Sequence, residues 1–330
     1  MSTPTSLIRL GSRRLAVDIA RPGTGYRGPR FDWSSFVTQV TLDDTHTFCG
    51  TEGTTESHGG AGLCCEFGQA AAVAFSQASP GERFLKPGVG LLTRPDAVPY
   101  RFFASYAVEP FEICTETDAD SLTFTIQSRL CNGYALRLVR RFTVNANRLR
   151  MSVMLHNTGT QPIITEEYCH NFIAINGKGP GPGLSLSTGF DFDHKEARQV
   201  LHFQRNTATW QCCPQRAFFL PGAHMQRSPG TYWMLKNESS GVGVAESGSF
   251  PMDRFVLWGC GHVVSPEVFV AIHAQPKQSQ CWDRDYTFFK PGDHEPSVTV
   301  ESSRPGEPQV LSVSLPHGEP RQTARALSAK

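Results

Sequence analysis

Apolar and polar positions alternate with a period of two in one segment of this chain after another. Phe36, Thr38, Val40 and Leu42 alternate with Val37, Gln39 and Thr41, and Leu122, Phe124 and Ile126 alternate with threonines and Gln127. Tyr134, Leu136 and Leu138 alternate with Ala135 and Arg137. Leu149, Met151, Val153 and Leu155 lead into the turn Asn157-Thr158-Gly159, and Leu311 and Val313 alternate with serines near the end. Successive side chains of a strand point to opposite faces, so this period predicts many short antiparallel strands with one face in a core. The 30 glycines and 23 prolines suit a chain rich in turns, and no helical stripe carries caps at both ends. The expected fold is all-β, a large antiparallel β-sandwich.

No linker divides the chain. Strand signals of one type stand on both sides of its most flexible-looking stretch, Lys178-Gly179-Pro180-Gly181-Pro182-Gly183, so residues 1–330 are read as a single domain with that loop beside the site. From about residue 319 the sequence becomes a polar tail that is expected to be disordered. Apolar residues make up 39% of the chain and charged residues 18%, enough to build a packed core.

A net charge of +1 gives no electrostatic reason to expect nucleic acid or an anionic membrane as partner. No segment approaches the length of a transmembrane helix. The first thirty residues hold Arg9, Arg13 and Arg14 but no uninterrupted apolar run, which argues against a secretory signal and for the cytoplasm. Ten cysteines include the adjacent pairs Cys64-Cys65 and Cys212-Cys213 but no CxxC, so free thiols are expected rather than a metal site. The chain has no phosphate loop, GxSxG or HExxH, and neither metal nor cofactor is expected. Its oligomeric state is not legible.

The run EEYCHNFIAIN, from Glu166 to Asn176, carries the chemistry. Read as a strand, it places Glu166, Tyr168, His170 and Phe172 on one face and Glu167, Cys169, Asn171 and Ile173 on the other. Acid, phenol, imidazole and aromatic ring together suit the floor of a sugar site. A carboxylate at Glu166, on the same face as His170, is expected to raise the histidine and keep more of it protonated. Aromatic rings accept the C–H faces of pyranoses, which adds Trp33, Trp258 and Trp282 to Tyr168 as candidates.

The segment NTGTQPIITEEYCHNFIAIN resembles the part of aldose 1-epimerases (galactose mutarotase-like proteins) that delivers the catalytic histidine. SPEVFVAI, from Ser265 to Ile272, resembles the later strand that supplies the catalytic glutamate. RFDWSSFVTQV, GGAGLCCEFG and KPGVGLL resemble an uncharacterised branch of the same superfamily, and the likeness runs from about Leu15 to Phe289. It implies a β-supersandwich with a sugar cleft across one sheet and interconversion of the α and β anomers of a free hexose. It also implies His170 as acid, Glu267 as base and Asp253 holding sugar hydroxyls; the residues themselves add Glu66, Lys86, Glu166, Tyr168 and Asn171 as candidate sugar contacts, with His58 as a weaker cleft candidate.

The sequence departs from the family where an arginine and a His-Gly step are usual, offering Glu66 and Lys86 instead. That leaves two alternatives: a lyase or bond-cleaving enzyme acting on an oxidised sugar or glycoside, and a non-catalytic carbohydrate-binding protein.

Overall fold

The computed structural model describes residues 6–53, 59–190, 192, 194–224, 232–300 and 311–314. The tail expected from about residue 319, and His58, lie outside the described residues. Two large antiparallel sheets dominate. The first has nine strands, in the order Leu7–Gly11, Leu15–Ala20, Val37–Leu42, Leu63–Phe67, Ile163–Asn171, Val263–Ala274, Arg254–Cys260 and Phe218–His224, with short His46–Thr47 paired beside Val37–Leu42.

The second sheet has ten strands. Arg148–Asn157 and Ser279–Phe289 are neighbours near its middle, and Leu136–Asn145 and Ser121–Gln127 follow towards one edge. The alternating runs become these strands: Leu149, Met151, Val153 and Leu155 are all buried, while the residues between them are partly exposed. Val17, Val40, Ile163 and Val268 from the first sheet and Leu138, Val153 and Phe288 from the second join one apolar cluster. The fold is therefore the expected antiparallel sandwich. A small third sheet, Arg83–Lys86, Gly90–Thr93 and Ala107–Pro110, brings Lys86 to the outer face of the first sheet.

The strand Ile163–Asn171 lies between Leu63–Phe67 and Val263–Ala274, in the centre of the first sheet. It stops at Asn171, earlier than the run to Asn176 suggests. Ile173 makes only isolated bridges to Cys49 and Val264, and Ile175–Gly177 closes a 3-10 turn with Asn176 at φ 53.

Its inner face is polar. Glu167 accepts from Arg284 at 2.7 Å and from the Trp282 indole at 3.2 Å, and Arg140 joins Asp32 at 2.9 Å. The amide of Asn171 donates to Glu246 at 3.1 Å and to the Pro266 carbonyl at 2.6 Å, while its oxygen accepts from Tyr286 at 2.9 Å. Arg284 also donates to Glu246 at 2.8 Å. Charges taken out of water must be paired, and here two guanidiniums face three carboxyls. Burial pushes Glu246 up towards its neutral form, which brings the network towards balance. Such a network fixes the register of the central strand against the opposing sheet.

Candidate active site

The register between Ile163–Asn171 and Val263–Ala274 pairs Tyr168 with Phe269, and the bridge further on pairs Ile173 with Val264. The same register sets His170 level with Glu267, so both side chains leave the sheet on one face. Nε2 of His170 lies 3.1 Å from Oε1 of Glu267, and both residues are almost wholly buried. Ser265 Oγ donates to the same carboxyl oxygen at 3.1 Å and accepts the Asn171 N–H at 2.9 Å. The imidazole stacks on Phe172 with centroids 3.9 Å apart, and Trp258 meets it edge-on at 5.1 Å.

Burial disfavours charge on both partners. It pushes His170 well below its ordinary value, with Arg30 adding to the effect, and pushes Glu267 up to about 8. Burial thus favours the uncharged form of each, a carboxyl beside a neutral imidazole. This reverses the expectation that His170 is kept protonated. Glu166 is instead engaged by Arg254 at 3.0 Å and by the Ala70 N–H at 2.9 Å. Nδ1 of His170 is buried without a hydrogen-bond partner.

The other predicted residues divide by face. Tyr168 donates to Glu66 at 2.7 Å, and Lys86 Nζ lies 3.5 Å from Glu66. Lys86 also donates to the Phe67 carbonyl and stands 3.0 Å from the Tyr100 hydroxyl. Glu66, Lys86 and Tyr168 thus form a closed cluster on the site face, all three fully buried. Asn171 points the other way, into the inter-sheet network. Asp253 is half-buried, and its backbone N–H bonds the Phe269 carbonyl. Neither Asn171 nor Asp253 joins the His170–Glu267 cluster. Trp282 belongs to the interior, whereas Trp258 belongs to the site.

Arg30 is the residue of this cluster that sequence reasoning missed. It donates to Glu66 at 2.8 Å, to Glu52 at 2.8 Å and to the Tyr168 hydroxyl at 3.1 Å, with its guanidinium over Phe31 at 4.4 Å and over Phe102 at 4.8 Å. It sits in the RFDW segment that carried part of the family likeness. The ten cysteines are all free. Among the described residues, no group of three or more His, Cys, Asp or Glu side chains could hold a metal, and no helix is long and apolar enough to cross a membrane.

No family description and no curated protein matches the chain. Solved structures do. A protein from Synechocystis superposes with a TM-score of 0.55 at 12% identity, covering 87% of this chain and 99% of that one. A galactose mutarotase related enzyme from Lactobacillus acidophilus gives 0.53 at 11% identity, covering 86% and 97%. A galactose mutarotase-like protein from Lactobacillus casei gives 0.52 at 10%, covering 86% and 100%. At such identities the likeness shows the fold: this chain has the galactose mutarotase-like sandwich.

Proposed function

We propose that this chain is a carbohydrate-active isomerase that interconverts the anomers of a free aldose, with Glu267 and His170 as its acid–base pair. The observation that carries the reading is the 3.1 Å contact between the two side chains, placed level on neighbouring strands of the sheet. Mutarotation needs one group to protonate the ring oxygen and another to take the proton of the anomeric hydroxyl. With the proton resting on Glu267, the carboxyl gives it to the ring oxygen while neutral His170 takes the hydroxyl proton. The ring opens, C1 turns about its bond to C2, and reclosure on the other face returns both protons. These starting positions exchange the roles that the family likeness implies.

A structural origin for the pair is the weaker explanation. A neutral imidazole and carboxyl are held in the interior with one ring nitrogen unpartnered, which costs stability. Groups with shifted proton affinities cluster at functional sites. Because both groups are buried, substrate entry requires neighbouring side chains, Phe31 beside the imidazole among them, to move and the His170–Glu267 contact to part around the sugar.

The lyase reading rested on Lys86 and Glu66 facing an acidic or keto group. Both are occupied with each other and with Arg30, Tyr168 and Tyr100, so no observation favours it. The test is anomer exchange by saturation-transfer NMR over a panel of aldoses. Exchange above the spontaneous rate supports isomerisation. Sugar binding with spontaneous exchange for every sugar supports a non-catalytic binding protein instead.

A further inference from the structure

The order Ser265-Pro266-Glu267 interrupts the backbone ladder beside the site and puts side-chain bonds in its place. The strands Ile163–Asn171 and Val263–Ala274 pair Tyr168 with Phe269, and just beyond, Ile173 and Val264 exchange both backbone bonds, at 2.9 and 3.1 Å. In that register the neighbouring exchange falls to Asn171 and Pro266, and proline has no N–H to give. There the Asn171 N–H donates instead to Ser265 Oγ at 2.9 Å, and the Pro266 carbonyl accepts from the Asn171 side-chain amide at 2.6 Å.

Because Ser265 Oγ accepts that N–H, its own hydrogen is left for Oε1 of Glu267, 3.1 Å away, the same oxygen that lies 3.1 Å from His170 Nε2. Ser265 and Glu267 are both buried, so water does not compete for the bond. The far end is anchored as well, since the Asn171 side chain is also bonded to Glu246 and Tyr286 in the inter-sheet network. The ionisable groups acting on the carboxyl are His170 and Tyr168 on the central strand, Glu66 on Leu63–Phe67, Arg254 on Arg254–Cys260, and Arg30. Among the described residues, Ser265 is the one non-titrating side chain that donates to Glu267.

We propose that Ser265 is the positioning residue for Glu267: its hydroxyl holds Oε1 towards His170 and stabilises the carboxylate left when the carboxyl proton passes to the sugar ring oxygen. The hydroxyl keeps its own hydrogen throughout, so the two protons of the exchange remain those of Glu267 and of the anomeric hydroxyl. The effect on rate rests on the isomerase reading, whereas the coupling of Ser265 to Glu267 is measurable without any sugar.

The test is the titration of Glu267 in the whole protein, followed by NMR of carbon-labelled glutamate carboxyls and assigned by the signal lost in Glu267→Gln. Glu267 is expected to titrate at about 8 in wild type. In Ser265→Ala the midpoint should rise by about one pH unit, because a donor to the charged form has gone. Ser265→Thr keeps the hydroxyl and should return the wild-type midpoint. In anomer exchange, Ser265→Ala should lose about tenfold in kcat with KM within about threefold of wild type, and should cost nothing further when added to Glu267→Gln. An unchanged midpoint in Ser265→Ala, or a full tenfold loss on top of Glu267→Gln, overturns the assignment. A raised midpoint in a protein that exchanges no anomers overturns the isomerase reading and leaves the coupling standing.

Discussion

Arg30 spans from the segment that crosses the outer face of the first sheet to Glu66 in its centre, its Nε 2.8 Å from a carboxylate oxygen that has no solvent exposure. Replacing it with methionine strips Glu66 of its closest cation and Tyr168 of a donor. Loss of one member of a buried ion pair typically costs about 3–5 kcal/mol, and Arg30→Met should lose about that much in denaturant unfolding. Its charge also holds down both His170 and Glu267, so removing it moves both upward. Any alkaline loss of activity should therefore shift to higher pH in the variant.

The raised carboxyl makes stability depend on pH in a defined direction. Glu267 is pushed from 4.5 to about 8 by burial, so its contribution is complete below the lower value and is lost as pH rises through the upper one. His170, pushed below 6.5, acts oppositely: its contribution is present above 6.5 and is lost as pH falls through the lowered value. Glutamine cannot ionise and still accepts from Ser265. Glu267→Gln should therefore gain stability relative to wild type between about pH 5 and about pH 9, on the order of several kcal/mol. Parallel unfolding curves at the two pH values check this, and a constant difference contradicts it.

Gly62 joins the first strands of the sheet to the central ones. It has φ +59, and a Cβ there would lie 1.9 Å from the Val37 carbonyl oxygen. Gly62→Ala combines left-handed strain with a backbone collision that no rotamer relieves. A loss above about 3 kcal/mol is expected, read as a shift in denaturation midpoint. A variant with the wild-type midpoint would contradict this close approach.

Lys86→Met separates a structural lysine from a substrate-binding one. The variant keeps the stem but leaves the Phe67 carbonyl and the Tyr100 hydroxyl without their donor. Stability should fall by about 1–3 kcal/mol, the usual cost of unmet buried hydrogen bonds. The KM for any sugar that is turned over should stay within about threefold of wild type, because Lys86 is occupied within the protein. A rise in KM of about a hundredfold with unchanged stability would return Lys86 to the substrate.

The strands were legible because alternation is local. Leu149 to Leu155 and Leu122 to Ile126 become strands with the expected faces, and Tyr168, His170 and Phe172 separate from Glu167 and Asn171 as the period requires. The length of the central strand was less legible. Beyond Asn171 the apolar residues continue, but the backbone leaves the ladder for single bridges and a tight turn. The pairing of His170 with Glu267 was reached only through family likeness, since 97 positions separate them. Arg30 was missed because its three acceptors come from separate segments, and a lone arginine before an aromatic residue carries no periodic signal. Which charged residues are neutralised by partners, such as Lys86 and Glu166, depends on contacts that no local pattern encodes.

The central claim, that Glu267 and His170 share one proton and pass it to a hemiacetal, is tested most directly by the pH profile of anomer exchange in wild type, Glu267→Gln and His170→Ala. Wild type should exchange anomers faster than the spontaneous rate and lose activity as pH rises through about 8, where Glu267 gives up its proton. Each variant should be slower by about 10²–10⁴-fold, the usual worth of one acid or base. Wild-type exchange that persists in His170→Ala, or that keeps rising through that pH, would contradict it.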